Sequence, residues 1–79
     1  MSQRSLRLHS KLYRARAIDR ALDLARAEAV DATLSRTRDG SHQVVTVDGL
    51  DDAEAVEMLA EIADAALVIT AELDGRPGR

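Results

Sequence analysis

Three stretches of the chain alternate between apolar and polar positions, the pattern of a half-buried β-strand. In SLRLHS, Leu6 and Leu8 alternate with polar residues, and this predicts a short first strand. In VDATLSRTRDGSHQVVTV, two alternating runs flank the pair Asp39-Gly40. Because Asp and Gly tolerate the positive φ angles of a two-residue type I′ turn, this segment predicts a β-hairpin.

Two other stretches repeat their apolar residues every three or four positions, as amphipathic helices do. The first follows the only aromatic residue, Tyr13, and places Ile18, Leu22 and several alanines on one face. The second begins at Asp51, whose spacing from Glu54 is that of a capping box. Its apolar stripe, expected to run the length of the helix, consists of Ala55, Leu59, Ile62, Ala66, Ile69 and Leu73.

The order strand, helix, strand, strand, helix predicts an α+β fold of two layers. Both helices are expected on one face of a three-stranded, mainly antiparallel sheet. Gly75 is expected to end the second helix, and Pro77 to prevent it from resuming. We therefore predict one domain over residues 1–75 and a disordered tail over residues 76–79.

The composition narrows the class of protein. The 79 residues include no cysteine, which excludes disulfides and thiolate metal sites. A chain of this size buries only about 60% of its unfolded surface, so oligomerisation or a partner is expected to stabilise it. No window approaches the roughly 18 uncharged apolar residues of a membrane span. The N-terminus also lacks the apolar core of a secretory signal, and we expect a cytoplasmic protein without membrane contact.

The second helix is apolar over more of its circumference than one core requires. Val56, Ala63 and Leu67 widen its stripe on one side, and further apolar residues lie on the other. A helix of this kind usually contacts something on more than one side. The alternative is that its small residues are simply tolerated in water. We predict an interface with a second copy, a larger protein partner or both, formed by Met58, Ala65, Leu67 and Val68.

No group of residues indicates an enzyme. His9 and His42 each lie on a predicted strand, without ligands at metal spacing or a serine–carboxylate arrangement. The acidic residues Asp48, Asp51 and Asp52 do not form a calcium loop, and the scattered glycines do not form a phosphate-binding loop. We therefore expect a non-enzymatic protein that uses neither a metal nor a cofactor.

Charge is divided unevenly along the chain. Residues 1–38 carry nine Lys/Arg and four Asp/Glu (+5), and residues 39–79 carry two and ten (−8), giving the net charge of −3. A basic surface is conceivable from Arg7, Lys11, Arg14, Arg16 and Arg20. Direct nucleic-acid binding is nevertheless not expected, because no aromatic residue is available to stack bases on the strands. The basic half could instead attract the acidic half, within the fold or in another subunit, or the two halves could simply form differently charged solvated faces.

The segment LRLHSKLYRARAIDRAL resembles the N-terminal signature of the HxsD family, small proteins of bacterial His-Xaa-Ser peptide-modification systems. The residues that carry this resemblance are Leu6, Leu8, Tyr13, Ala17, Ile18 and Ala21. In EMLAEIADAALVI, four residues resemble the family's C-terminal helix motif: Glu61, Ile62, Asp64 and Leu67. Ala66 and Val68 stand where that motif has an aromatic residue and an arginine. The resemblance implies an accessory protein, encoded beside radical-SAM maturases, without catalytic residues.

The element order is also similar to that of the small dimerising subunit of the KEOPS tRNA-modification complex. The C-terminal helix of that subunit ends in a leucine-valine-containing run, like ALVITAEL here. This resemblance implies a subunit that uses its helices for dimerisation and for holding a kinase-like enzyme partner. The two resemblances imply different pathways but the same type of protein, a small α+β module that works through protein contacts.

Overall fold

The computed structural model describes residues 2–75, which form five elements. They are β1 (Ser2–His9), α1 (Ala15–Ala27), β2 (Asp31–Arg36), β3 (His42–Leu50) and α2 (Asp52–Leu73). The predicted α+β fold and its element order are confirmed. The tail predicted over residues 76–79 lies outside the described residues.

The three strands form one antiparallel sheet in the order β1-β3-β2. The central strand is β3, so that Val45 pairs with Leu6 on one side and with Leu34 on the other. Both outer strands are antiparallel to β3 and therefore run in the same direction. The connection between them contains α1, which crosses one face of the sheet and packs on β2 and α2.

The core lies between this face of the sheet and the two helices. Leu8, Val45 and Val47 are buried from the sheet side, and Ile18 and Leu22 from α1. Residues of the strands that point the other way are partly or fully exposed. The sheet therefore has one covered face and one open face, as the alternating pattern predicts.

Alanines form much of the helical contribution to the core. Ala17, Ala21, Ala25, Ala55 and Ala66 are all buried. Small side chains allow α1 and α2 to approach each other and the sheet closely. They also leave few large apolar groups in the core, and the largest that are fully buried are Ile18, Leu22, Val45 and Val47.

The ends of α2 follow the predicted signals, but its apolar stripe does not. The carboxylate of Asp51 accepts a hydrogen bond from the backbone N–H of Glu54 at 2.8 Å, which caps the helix as expected. Gly75 follows the helix with a φ of 68°, a conformation that favours glycine. The prediction that the stripe stays in the core to Leu73 is wrong, because Leu73 is 36% exposed. The 22 residues of α2 span about 33 Å, and its last turn lies beside the first turns of α1.

The predicted two-residue turn at Asp39-Gly40 is also wrong. The N–H of Thr37 donates to the carbonyl of His42 at 3.0 Å, so four residues, 38–41, connect the paired positions. Only Gly40 has a positive φ, at 75°. The carboxylate of Asp39 accepts from the hydroxyl of Thr37 at 2.9 Å and from the N–H of Ser41 at 3.0 Å. These side-chain bonds favour a wider turn, in which Asp39 keeps a negative φ.

A candidate protein-contact surface on α2

Three large apolar side chains of α2 are more than half exposed. The exposed fraction is 51% for Val56, 53% for Leu67 and 59% for Val68. Val56, Ala60, Ala63 and Leu67 follow one another at helical spacing and so lie along one flank of the helix. Of these four residues only Ala63 is partly buried against the core, and the other three are exposed.

The flank borders β1, and a groove of about 510 Å³ lies between the two elements. Its apolar lining comes from Leu6, Val56, Leu59, Ala60 and Ala63, and Arg4, Ser5 and Asp64 complete it. We call it the β1–α2 groove. Apolar walls with one cation and one anion suit a protein surface better than a small charged ligand.

The opposite flank of α2 faces α1 and contains a smaller groove of about 180 Å³. Met58 and Ala65 line it together with Leu24 of α1, and both are half-buried. Glu28 and Glu61 also line this groove and add negative charge.

The four predicted interface residues therefore do not form one patch. Met58 and Ala65 lie together beside α1. Leu67 is nine residues after Met58, or two and a half turns, and lies on the β1 side. Val68 points between the two flanks towards solvent. The sequence showed the apolar excess of the helix but not its division between two flanks.

Two contributors were not predicted from the sequence. Leu24 is 60% exposed on α1 and lines the groove with Met58. Leu24 is a large apolar residue one helical turn from both Arg20 and Glu28, and this was the signal that could have identified it. Leu6 lines the larger groove because β1 is an edge strand, and the alternating pattern does not show which strands lie at an edge.

The predicted basic surface is dispersed over the molecule. Arg7 lies on the open face of the sheet, where it pairs with Val44 of β3. Arg14, just before α1, forms an ion pair with Asp74 after α2. The other three are exposed residues of the loop before α1 and of α1 itself: Lys11, Arg16 and Arg20. No single face gathers the five side chains for a run of phosphates.

The two histidines meet at the end of the β1–β3 ladder. His9 and His42 are paired across the strands, with ring centroids 4.9 Å apart. The Ser41 hydroxyl donates to Asp39 at 2.8 Å and lies 2.8 Å from Nδ1 of His42. Since the only hydroxyl proton goes to Asp39, Nδ1 of His42 is assigned as the donor to Ser41. In this arrangement His42 does not act as a base towards Ser41.

Hydrogen bonds, chiefly from the N–H and hydroxyl of Ser41 and then from Thr37, lower the pKa of Asp39 from 3.8 to about 2. The carboxylate thus serves the turn as a permanent acceptor. Within residues 2–75, no three His, Cys, Asp or Glu side chains are grouped closely enough to hold a metal ion.

None of the helices in the described part of the chain has the length and apolar content to cross a membrane. Comparison with protein-family models, with curated proteins and with solved structures finds no match to this chain.

Proposed function

We propose that this chain is a small, non-enzymatic accessory protein that acts in the cytoplasm through protein–protein contacts. It works as a homodimer, in complex with a larger partner, or both, and α2 supplies the contact surface. The observation that carries the proposal is the exposure of Val56, Leu67 and Val68 on one helix. Single exposed apolar residues need no explanation, whereas three on one helix, of which Val56 lines an apolar groove, are typical of an interface.

The exposed side chains of this surface would contribute favourably to assembly. Burying a Leu or Val side chain completely stabilises by about 1.5–3 kcal/mol. Leu67 still exposes 53% of its surface, so its burial at an interface is worth about 1 kcal/mol. In a two-fold symmetric dimer each residue contributes twice. Val56, Leu67 and Val68 together would then supply several kcal/mol towards association.

The resemblance to the HxsD family supports a role in assisting a peptide-modifying, radical-SAM system. A second candidate is a dimerising subunit of a tRNA-modification complex, and the β-α-β-β-α order of the described residues favours it. Both candidates use the same protein-contact surface and require no catalytic residue of this chain.

Sedimentation velocity over a range of concentrations tests the contact function. We expect the wild-type chain to self-associate at micromolar concentration, and Leu67→Glu and Val68→Glu to weaken association because each buries a charge. Leu12→Glu is the matched control, since Leu12 is 63% exposed but lies in the loop before α1. A wild-type monomer at all concentrations, together with failure to bind a radical-SAM maturase or a tRNA-modifying ATPase, would contradict the proposal.

A further inference from the structure

The backbone of β1 has an open edge. The N–H of Ser10 donates to the carbonyl of Ser41 at 3.0 Å, which makes these residues a hydrogen-bonded pair. Such pairs alternate along an antiparallel ladder, so the even-numbered residues of β1 bond to β3. The odd-numbered residues, Ser5 and Arg7 among them, direct their N–H and C=O groups away from the sheet. Among the described residues, no side chain bonds to these backbone groups of Ser5 and Arg7.

The other edge of the sheet is shorter and partly protected. The bond from Thr37 to His42 shows that the odd-numbered residues of β2 bond to β3. The backbone groups of the even-numbered residue Ala32 therefore point to the free side of β2. There Nε of Arg26 donates to the carbonyl of Ala32 at 3.1 Å. The strand has only six residues, and short edge strands covered by charged side chains resist pairing with another chain.

The open edge and the β1–α2 groove are adjacent. Leu6 belongs to β1 and also lines the groove, opposite Val56 and Ala60 of α2. A strand added beside β1 would thus satisfy the free backbone groups and bring its own apolar side chains over this groove. Arg4, which also lines this groove, already pairs with Asp52 of its own chain at 3.3 Å, so the fit to a second copy depends on the free backbone edge and on the apolar lining.

We propose that β1 pairs antiparallel with β1 of a second copy, joining two sheets into one of six strands. The α2 helices of the two copies then close the β1–α2 groove from both sides. This inference rests on the proposed contact function and specifies its geometry.

The register follows from the side chains of β1. A two-fold axis at Leu6 places Leu6 opposite Leu6 of the second copy and Ser5 opposite Arg7 of the second copy. An axis at Arg7 would instead oppose two arginines, and like charges in this position are destabilising. An axis at Ser5 would separate the two Leu6 side chains and oppose each of them to Arg4, whereas the axis at Leu6 keeps the apolar Leu6 pair and opposes Arg4 to Leu8. The pairing centred on Leu6 is therefore favoured.

A proline substitution tests the edge without disturbing the internal ladder. Arg7→Pro removes an N–H that points away from β3, and proline is tolerated at sheet edges. Arg7→Ala is the control that removes the same side chain and keeps the N–H. We expect Arg7→Pro to weaken the dimer about 30-fold relative to Arg7→Ala, from two lost hydrogen bonds per dimer. Circular dichroism on dilute protein verifies that both variants remain folded.

Disulfide cross-linking tests the register, because the chain has no cysteine of its own. Residues facing each other in a non-hydrogen-bonded pair have Cα atoms about 4.5 Å apart, within reach of a disulfide. Leu6→Cys should therefore cross-link rapidly between copies on mild oxidation. Leu34→Cys is the matched control, since Leu34 flanks Val45 on the protected edge as Leu6 does on the open edge.

Equal cross-linking of Leu6→Cys and Leu34→Cys, or equal affinity of Arg7→Pro and Arg7→Ala, would overturn the pairing of β1 strands. If Leu67→Glu still dissociates the assembly in that case, the contact function stands and only the edge pairing fails.

Discussion

Arg26 interacts with the carbonyl of Ala32, with the carboxylate of Asp23 and with the C-terminal end of α1. Its replacement by alanine therefore tests the β2 edge. Its Nε donates to the carbonyl of Ala32, and its Nη1 lies 3.2 Å from a carboxylate oxygen of Asp23. It is also the basic residue in the last turn of α1, where a cation interacts favourably with the helix dipole.

The expected loss is moderate, because the side chain of Arg26 is 46% exposed. A hydrogen bond from a charged donor contributes about 1.5–3 kcal/mol when buried, and we take about 1 kcal/mol for this half-exposed bond. The exposed pair with Asp23 and the dipole interaction contribute about 0.3 kcal/mol each. Arg26→Ala should therefore lower the free energy of unfolding by about 1.5 kcal/mol.

Urea denaturation measures this loss, with circular dichroism following the helices and the single tyrosine, Tyr13, as a fluorescent probe. For a domain of this size, 1.5 kcal/mol shifts the midpoint by about 1.5 M urea. The control is Arg20→Ala, an exposed arginine of the same helix, which should cost less than about 0.5 kcal/mol. Equal midpoints for the two variants would refute the assigned role of Arg26.

The same substitution has a consequence for assembly. Without Arg26, the carbonyl of Ala32 has no side-chain partner, and the molecule has two open edges. Two open edges on one sheet allow end-to-end addition, which forms chains rather than closed dimers. Arg26→Ala should therefore sediment as species larger than the dimer.

Two further predictions concern hydrogen bonds of single carboxylates. Since the folded turn lowers the pKa of Asp39 from 3.8 to about 2, its contribution to stability is complete above pH 3.8 and is lost as the pH falls through about 2. A carboxyl NMR titration should give a midpoint near 2, and a midpoint near 3.8 would contradict the turn geometry. Asp51→Ala should cost about 1 kcal/mol in urea denaturation, whereas Asp51→Ser should stay near wild type. Equal losses for the two variants would show that the cap is not formed.

Local patterns were sufficient to predict the elements and their order. The alternation at Leu6 and Leu8 and the helical spacing of Ile18 and Leu22 depend only on neighbours in the sequence. The hairpin turn was predicted wrongly because the side-chain bonds of Asp39 compete with the backbone preference of the Asp-Gly pair.

The strand order and the orientation of α2 could not be predicted from local patterns. Alternation indicates that a strand is half-buried but does not show that β3 is central and β1 lies at an edge. Similarly, the sequence shows that α2 has more apolar residues than one core requires. Only the packing of α2 against α1 and β1 shows that Met58 and Leu67 lie on opposite flanks. The burial of Gln43 could not be predicted either, because it depends on a tertiary contact. The side-chain amide of Gln43 donates to the carbonyl of Tyr13 at 3.4 Å.

The alanine-rich core connects stability with the proposed assembly. Buried alanines such as Ala17 and Ala66 permit close packing but remove little apolar surface from water. The large apolar side chains that would strengthen a monomer, Val56 and Leu67, are instead exposed on α2, and Val56 lines the groove beside β1. A ligand or second copy that binds only the folded state stabilises it by mass action. This distribution favours a chain whose folded state is reinforced by its partner, because the strongest unused hydrophobic contacts lie at the surface rather than in the core.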